Sequence, residues 1–136
     1  MAVVDTGPLV ALLDRSDRAH DACRDELANL EGRRLVTSLA VLTEACYLLG
    51  LSNRAQQAAL AFVAAGAVEL AKLGAADVAM AASQMDRYAS LPMDFADASL
   101  VTLAQRLSTM DVFTLDRRDF TVYRLARKRF RLRPSV

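Results

Sequence analysis

Residues 2–8 read Ala-Val-Val-Asp-Thr-Gly-Pro, and this stretch decides the class of fold. Its three leading apolar residues predict a short strand that is buried on both faces, as the strands of parallel sheets are. The Thr-Gly-Pro segment predicts a turn, and Pro8 is well placed to open a helix that runs to about Leu13. A strand that leads directly into a helix favours an α/β fold, and it puts Asp5 at the carboxyl end of the strand.

Apolar strands and helical segments alternate along the rest of the chain. The pattern predicts further strands at 35–36, 67–70 and 111–115, and helices at 17–30, 38–49, 54–65, 75–89 and 94–107. Phe130 and Leu132 alternate with arginines, which predicts a final edge strand with one basic, solvated face. This order indicates one α/β domain over residues 1–136, with a central, mostly parallel sheet and helices on both faces.

A second acid stands at the end of a predicted strand. Asp116 follows the run Val-Phe-Thr-Leu at 112–115, as Asp5 follows the first strand. Ligands of open parallel sheets bind outside the carboxyl ends of the strands. Two separate strands are therefore expected to deliver carboxylates to the same edge of the sheet.

Two further acids lie within apolar helical patterns. Glu44 has Ala40, Val41, Tyr47 and Leu48 three and four residues away, which predicts a position away from the solvated face. Asp97 falls at the third position of a helix that Asp94 would cap. Charge is rarely buried unless it is paired or coordinates a metal, and no basic partner is evident for these acids.

Each acid also has a purely structural interpretation. Asp5 could begin a turn, and Glu44 could be an internally satisfied helix acid. Asp97 could complete a capping box, and Asp116 could cap a turn or pair with a neighbouring arginine. The alternative for all of them together is a divalent-cation site, because a cation relieves the repulsion between clustered carboxylates.

Oxygen ligands favour Mg²⁺ or Mn²⁺ over zinc. The chain has one histidine and two cysteines, so a zinc site of the usual kind is not expected. A cation held by acids can polarise a phosphoryl oxygen and activate water. The reaction class that follows is hydrolysis of a phosphodiester.

Composition and charge add a partner class. The chain is 54% hydrophobic and 24% charged, which is typical of a globular domain, and its net charge is +1. Residues 117–136 hold eight basic residues and one acid, a net +7, so the remainder carries −6. The basic segment indicates either an anionic partner or a solvated surface. Separated cysteines favour free thiols and a reducing, cytoplasmic location, and the longest apolar run (58–68) is too short to span a membrane.

Four segments, in order, resemble the acidic motifs of PIN domains. They are Val3–Pro8, Thr37–Glu44, Pro92–Leu100 and Thr114–Phe120, and the subgroup they resemble most is the toxin ribonucleases of the VapC type. The resemblance implies a three-layer α/β/α fold, endonucleolytic cleavage of RNA with Mg²⁺ or Mn²⁺, a cognate antitoxin and a homodimer. By the same resemblance Asp5, Glu44 and Asp97 are the main metal ligands, Asp116 is the fourth acid, and Asp94 and Asp119 are auxiliary.

Supporting residues complete the prediction. Hydroxyls near the predicted edge are expected to orient carboxylates or waters, namely Thr6, Ser38 and Thr114, although single hydroxyls in turns are often plain caps. Arginines of the basic segment are expected to bind RNA phosphates, namely Arg117, Arg118, Arg129 and Arg131.

Other functions remain open at this point. The same scaffold can serve as a housekeeping nuclease or as a catalytically silent module that binds nucleic acid or protein. A phosphorylated receiver domain would need a lysine after a late strand, and neither Lys72 nor Lys128 follows one. A haloacid-dehalogenase-type phosphatase would need an aspartate at position 7, which is glycine.

Overall fold

A computed structural model describes residues 1–135 of the chain. Seven strands and seven helices follow one another in it, and their bounds are β1 (Ala2–Val4), α1 (Thr6–Leu13), α2 (His20–Asn29), β2 (Leu35–Thr37), α3 (Leu39–Leu48), α4 (Asn53–Ala64), β3 (Glu69–Leu70), α5 (Ala75–Arg87), α6 (Phe95–Leu107), β4 (Asp111–Phe113), α7 (Arg117–Phe120), β5 (Arg124–Leu125), β6 (Lys128–Arg129) and β7 (Arg131–Arg133).

The main sheet has five strands in the order β3-β2-β1-β4-β7, and every neighbouring pair is parallel. β1 lies at its centre, with Val3 beside Val36 on one side and Val112 on the other, and all three side chains are buried. The prediction of an α/β fold with a central parallel sheet is confirmed. Because all strands point the same way, their carboxyl ends form one edge of the sheet.

Two helices start at other residues than predicted because an aspartate side chain accepts a backbone hydrogen bond there. α1 begins at Thr6, ahead of Pro8, because the Asp5 carboxylate accepts a hydrogen bond of 2.7 Å from the Thr6 N–H. α2 begins at His20 instead of residue 17, because the Asp17 side chain accepts from the Ala19 N–H and closes a turn first.

Two other helices are capped as predicted. The Ser38 hydroxyl accepts from the Val41 N–H, and Asp94 accepts from the Asp97 N–H. These caps explain why α3 and α6 begin where the sequence predicted.

The C-terminal part is more elaborate than predicted. A short helix (α7) and an antiparallel hairpin (β5–β6) stand between β4 and β7, and neither was expected. The hairpin turns through Ala126 and Arg127, which have φ values of 48° and 69°. The predicted edge strand is present as β7, and its central residue, Leu132, is buried.

Other expectations have mixed outcomes. Both cysteines are free thiols, but only Cys23 is buried, and Cys46 is half-buried on α3. No helix within residues 1–135 has the length and apolarity needed to cross a membrane. The single-domain prediction over 1–136 stays a prediction, and it includes Val136, which lies outside the described residues.

Candidate active site

The predicted acids meet in one cavity at the carboxyl edge of the sheet. Asp5 follows β1 and Asp116 follows β4, while Glu44 comes from α3 and Asp97 from the first turn of α6. The cavity has a volume of about 390 Å³, and its acidic lining consists of Asp5, Glu44, Asp94, Asp97, Asp116 and Asp119. The structure thus brings the four principal and two auxiliary acids together from segments that are far apart in the sequence.

Asp5 lies deepest among these acids and is 6% exposed. One carboxylate oxygen accepts from the Thr6 N–H, and the other accepts from the Thr114 hydroxyl at 2.8 Å. Burial raises the pKa of Asp5 to about 6, and the negative charges of Asp116 and Glu44 add to the rise against the effect of the hydrogen bonds. Asp5 is therefore held rigidly in an environment that opposes its ionisation.

Asp97 is half-buried, and its environment opposes ionisation still more strongly. Burial raises the pKa of its carboxyl group to about 8, with further contributions from the charges of Asp5 and Asp94. A hydrogen bond of 2.9 Å from the Tyr123 hydroxyl works in the opposite direction. Asp5 and Asp97 are therefore both destabilised as anions by desolvation and by neighbouring acids.

Three of the carboxylates are close enough to share one ion. One oxygen from each of Asp97, Asp116 and Asp119 lies within 4.8 Å of the others. Asp116 also caps α7, accepting from the Asp119 N–H at 3.0 Å. Burial and the neighbouring Asp116 raise the pKa of Asp119.

The acids of the cavity are not neutralised by ion pairs. Within residues 1–135, none of its six acids makes an ion pair, whereas acids elsewhere, such as Asp77 and Asp111, do. Clustered carboxylates without a basic partner, all offering oxygen, fit a hard divalent cation such as Mg²⁺ or Mn²⁺. The residues present thus suit the metal that the sequence predicted.

Two of the three predicted hydroxyls contact the acids. The Thr6 hydroxyl donates to Glu44 at 2.9 Å. Thr114 donates to Asp5 and accepts from the Asp116 N–H at 2.9 Å, so it ties the ends of β1 and β4 together. Ser38 does not reach them: it is fully buried, caps α3 and contacts the Ser99 hydroxyl at 2.7 Å.

The surroundings of Glu44 differ from the prediction. Its helical neighbours Tyr47 and Leu48 are 81% and 57% exposed, so this half of the apolar pattern lies on the surface, whereas Val41 is buried. Glu44 itself is partly exposed at the mouth of the cavity. Like Asp97, it combines partial exposure with a fixed hydroxyl partner, but that partner, Thr6, lies directly after Asp5.

The four predicted phosphate-binding arginines are spread out. Arg118 is exposed and close enough to Asp119 to lower the pKa of that acid, against the raising effect of burial. Arg117 donates to the Pro134 carbonyl at 2.7 Å, and Arg129 is exposed on β6. Arg131 lies at the opposite end of the sheet, where it donates to Asp111 at 2.7 Å.

Sequence reasoning missed Tyr123. Its hydroxyl contacts Asp97, yet its ring is fully buried beside Tyr88 and Phe120. The available signal was weak: an aromatic residue three positions after Phe120 in a segment of mixed polarity.

Fold and site together define an α/β protein with an unpaired acidic cavity at the carboxyl edge of its sheet. The family model described as PIN domain matches residues 2–128, and the chain belongs to this family. It is similar to Ribonuclease VapC26 of Mycobacterium tuberculosis, with 36% identity over 124 residues that cover 90% of this chain and 91% of that protein.

Two solved structures share the fold. One is VapC20 of Mycobacterium tuberculosis, described as a sarcin–ricin loop cleaving toxin, with a TM-score of 0.78 at 23% identity over 85% of this chain and 90% of that one. The other is VapBC2 from Rickettsia felis bound to a DNA fragment from their promoter, with a TM-score of 0.68 at 15% identity over 96% and 97%. The prediction of a PIN domain similar to VapC-type proteins is confirmed.

Proposed function

We propose that the protein is a metal-dependent endoribonuclease that hydrolyses phosphodiester bonds in single-stranded RNA and acts as the toxin of a toxin–antitoxin pair. The observation that carries the proposal is the cavity in which Asp5, Glu44, Asp97 and Asp116 converge without a basic partner. The 36% identity to a ribonuclease over nine-tenths of the chain supports RNA as the substrate.

The metal would be held by Asp5, Asp97 and Asp116, with Asp119 beside them. A Mg²⁺ or Mn²⁺ ion supplies Lewis acidity toward the phosphodiester and stabilises the charge that develops in the transition state. Asp5 contributes a carboxylate whose orientation is fixed by hydrogen bonds at both oxygens, which limits the reorganisation needed on binding.

Glu44 has a different role in this proposal. One of its oxygens accepts from Thr6 at 2.9 Å, and its position at the cavity mouth leaves it open to solvent. It is thus suited to orient an attacking water and to accept its proton. Arg118 stands beside the acids and would bind a phosphate next to the cleaved one, with Arg117 and Arg129 as outer contacts.

Asp5→Asn tests the assignment most directly. The amide keeps the size of the side chain but removes a charge, so cleavage of unstructured RNA in Mg²⁺ should fall to background while the melting temperature changes little. Asp21→Asn is the matched control, because Asp21 is an exposed acid on α2, away from the cavity. Full activity of the Asp5 variant would refute the proposed site.

Metal dependence needs its own measurement. Cleavage should stop in EDTA and return as Mn²⁺ or Mg²⁺ is added back. Addition of buffer without a divalent metal should restore nothing. Cleavage that persists after exhaustive chelation would contradict the metal assignment. If the protein binds RNA without cutting it under every metal condition, the silent binding module becomes the better description.

A cognate antitoxin is the proposed protein partner. The similarity in fold to VapBC2, solved with promoter DNA, supports it. The protein encoded next to this chain's gene should form a stable complex with it and inhibit RNA cleavage. Absence of any such inhibitor would favour a housekeeping nuclease.

A homodimer is proposed from exposed apolar residues. Tyr47 is 81% exposed, and Val78 and Phe95 are 48% and 41% exposed beside the same groove of about 760 Å³. The apolar segment 55–68 offers less exposed surface for a dimer. Among its described residues, Leu60 is the only large hydrophobic one that is more than 40% exposed. Sedimentation at high concentration should give a dimer, and Val78→Glu should give a monomer.

A further inference from the structure

We propose that Tyr123 is the positioning residue that sets the Asp97 carboxylate for metal binding. The inference rests on the proposed function, because it assigns a role within the same site. It assigns a supporting role to a residue of the C-terminal segment, outside the cavity lining, which comes from residues 5–7, from α3, from residues 92–97 and from residues 115–119.

The hydroxyl of Tyr123 is buried and contacts the Asp97 carboxylate. The residue is 0% exposed, and its hydroxyl donates to Asp97 Oδ2 at 2.9 Å, the one hydrogen bond that this hydroxyl makes within residues 1–135. A buried tyrosine hydroxyl needs a partner, and a phenylalanine would fill the same space without that need. The polar atom is therefore explained by Asp97 and not by packing.

The Asp97 side chain does not make the local capping hydrogen bond that is common at its helix position. An acid at the third position of a helix commonly returns a hydrogen bond to the N–H of the capping residue, here Asp94. Asp94 does accept from the Asp97 N–H at 2.8 Å, but the Asp97 side chain accepts from Tyr123 instead. The contact across the fold thus replaces the local capping bond and sets which way the carboxylate faces.

The donor itself is immobile. The Tyr123 ring meets Phe120 and Tyr88 edge to face, at centroid distances of 5.0 and 5.1 Å. The Tyr88 hydroxyl takes no part in this ring packing, since it accepts from the Arg124 N–H at 3.0 Å. A carboxylate held by a rigid donor keeps one orientation despite the repulsion of its neighbours.

That restraint matters because three neighbouring acids repel Asp97. Asp5, Asp94 and Asp116 all act on it with the same sign. Without the donor, the side chain is free to rotate away from the other acids, and binding an ion would first have to order it. Groups that orient a metal ligand through a hydrogen bond typically change metal affinity about 10–100-fold when they are removed.

Tyr123→Phe tests the inference, with Tyr88→Phe as the matched control. Both changes delete one buried hydroxyl from the same aromatic cluster, but only Tyr123 contacts a carboxylate. Mn²⁺ binding is measured by calorimetry without RNA, and cleavage is measured as a function of Mn²⁺ concentration. We expect roughly tenfold weaker Mn²⁺ binding in Tyr123→Phe, cleavage that recovers at saturating Mn²⁺, and wild-type affinity in Tyr88→Phe.

The outcomes separate cleanly. Equal Mn²⁺ affinity in the wild type and Tyr123→Phe, with both folded by circular dichroism, overturns the inference and leaves the proposed function intact. Equal weakening in both phenylalanine variants also overturns it, because the cause would then be general loosening of the cluster. A wild-type protein that neither binds Mn²⁺ nor cuts RNA is the separate result that removes the proposed function itself.

Discussion

Two buried aspartates on neighbouring strands have opposite surroundings. Asp5 ends β1 and is 6% exposed, and Asp111 begins β4, which pairs with β1, and is 4% exposed. Asp111 is bonded to the guanidinium groups of Arg33 and Arg131, which hold its pKa below the ordinary value against the effect of burial. Asp5 faces other acids, and its pKa is raised to about 6.

The difference separates charge that serves the fold from charge that serves a site. At the amino end of the sheet, the buried Asp111 carboxylate joins β4 to Arg131 of the edge strand β7 and to Arg33, two residues before β2. At the carboxyl end, the carboxylates oppose folding unless a cation joins them. The same residue type thus stabilises the fold at one end of the sheet and is proposed to bind a metal at the other.

Asp97→Asn should give the largest effect. Loss of one carboxylate from the cluster should reduce RNA cleavage by about 1,000-fold, which corresponds to several kcal/mol of lost transition-state stabilisation. In EDTA above pH 8, where folded Asp97 is ionised, the melting temperature of the same variant should exceed that of the wild type, because one of the mutually repelling charges is gone. Cleavage assays test the first expectation and calorimetry tests the second. A lower melting temperature in EDTA would contradict the contrast drawn between the two ends of the sheet.

Asp111→Asn should give the reverse result. The change weakens charge-assisted hydrogen bonds to arginines that are partly exposed, so we expect a loss of about 2 kcal/mol in the free energy of unfolding, less than for fully buried pairs. The melting temperature should fall by about 6 °C, and cleavage at 25 °C should stay at the wild-type rate. Denaturant titration and a cleavage assay test this, and a variant with normal stability would count against a structural role.

The pH dependence of stability follows from the raised pKa values. Folded Asp97 keeps its proton up to about pH 8 and folded Asp5 up to about pH 6, whereas the unfolded chain loses both near pH 3.8. The folded state binds more protons between these limits, so the metal-free protein should lose stability as the pH rises from about 4 to 8. Asp111 acts oppositely, and its contribution is lost only as the pH falls below 3.8.

Melting curves in EDTA across this range provide the measurement. Saturating Mn²⁺ should reduce the decline, because the ion binds the deprotonated site of the folded protein. Asp97→Asn should flatten the curve between pH 6 and 8, where of these two acids only Asp97 contributes, and should leave about half of the slope between pH 4 and 6, where Asp5 still contributes. An unchanged slope in that variant would show that another group is responsible.

The sequence predicted the acids at the strand ends because that signal is local. An apolar run followed by an aspartate identifies Asp5 and Asp116, and the parallel arrangement brings them together. Tyr47 and Leu48 misled the prediction for Glu44, since helical spacing of apolar residues is the same for a core face and an exposed face.

Long-range pairing was beyond sequence reasoning. Arg131 was expected to bind RNA, but its partner Asp111 is set by the register of two strands twenty residues apart. Tyr123 reaches Asp97 across twenty-six residues through a cluster of three aromatic rings. Neither contact leaves a periodic pattern, because both depend on how separate elements pack.

The two ends of the sheet also differ in what their arginines should do, and this gives the smallest expected effect. Arg118 is exposed beside the acidic cavity, whereas Arg131 is committed to Asp111. Arg118→Gln should raise KM for RNA about threefold at low salt and reduce the salt dependence of binding by about one ion, as expected for one lost phosphate contact. Arg131→Gln should leave both unchanged and lower stability instead. Equal effects of the two variants on KM would mean that RNA contacts both ends of the sheet. The arginines would then not divide into a structural and an RNA-binding set.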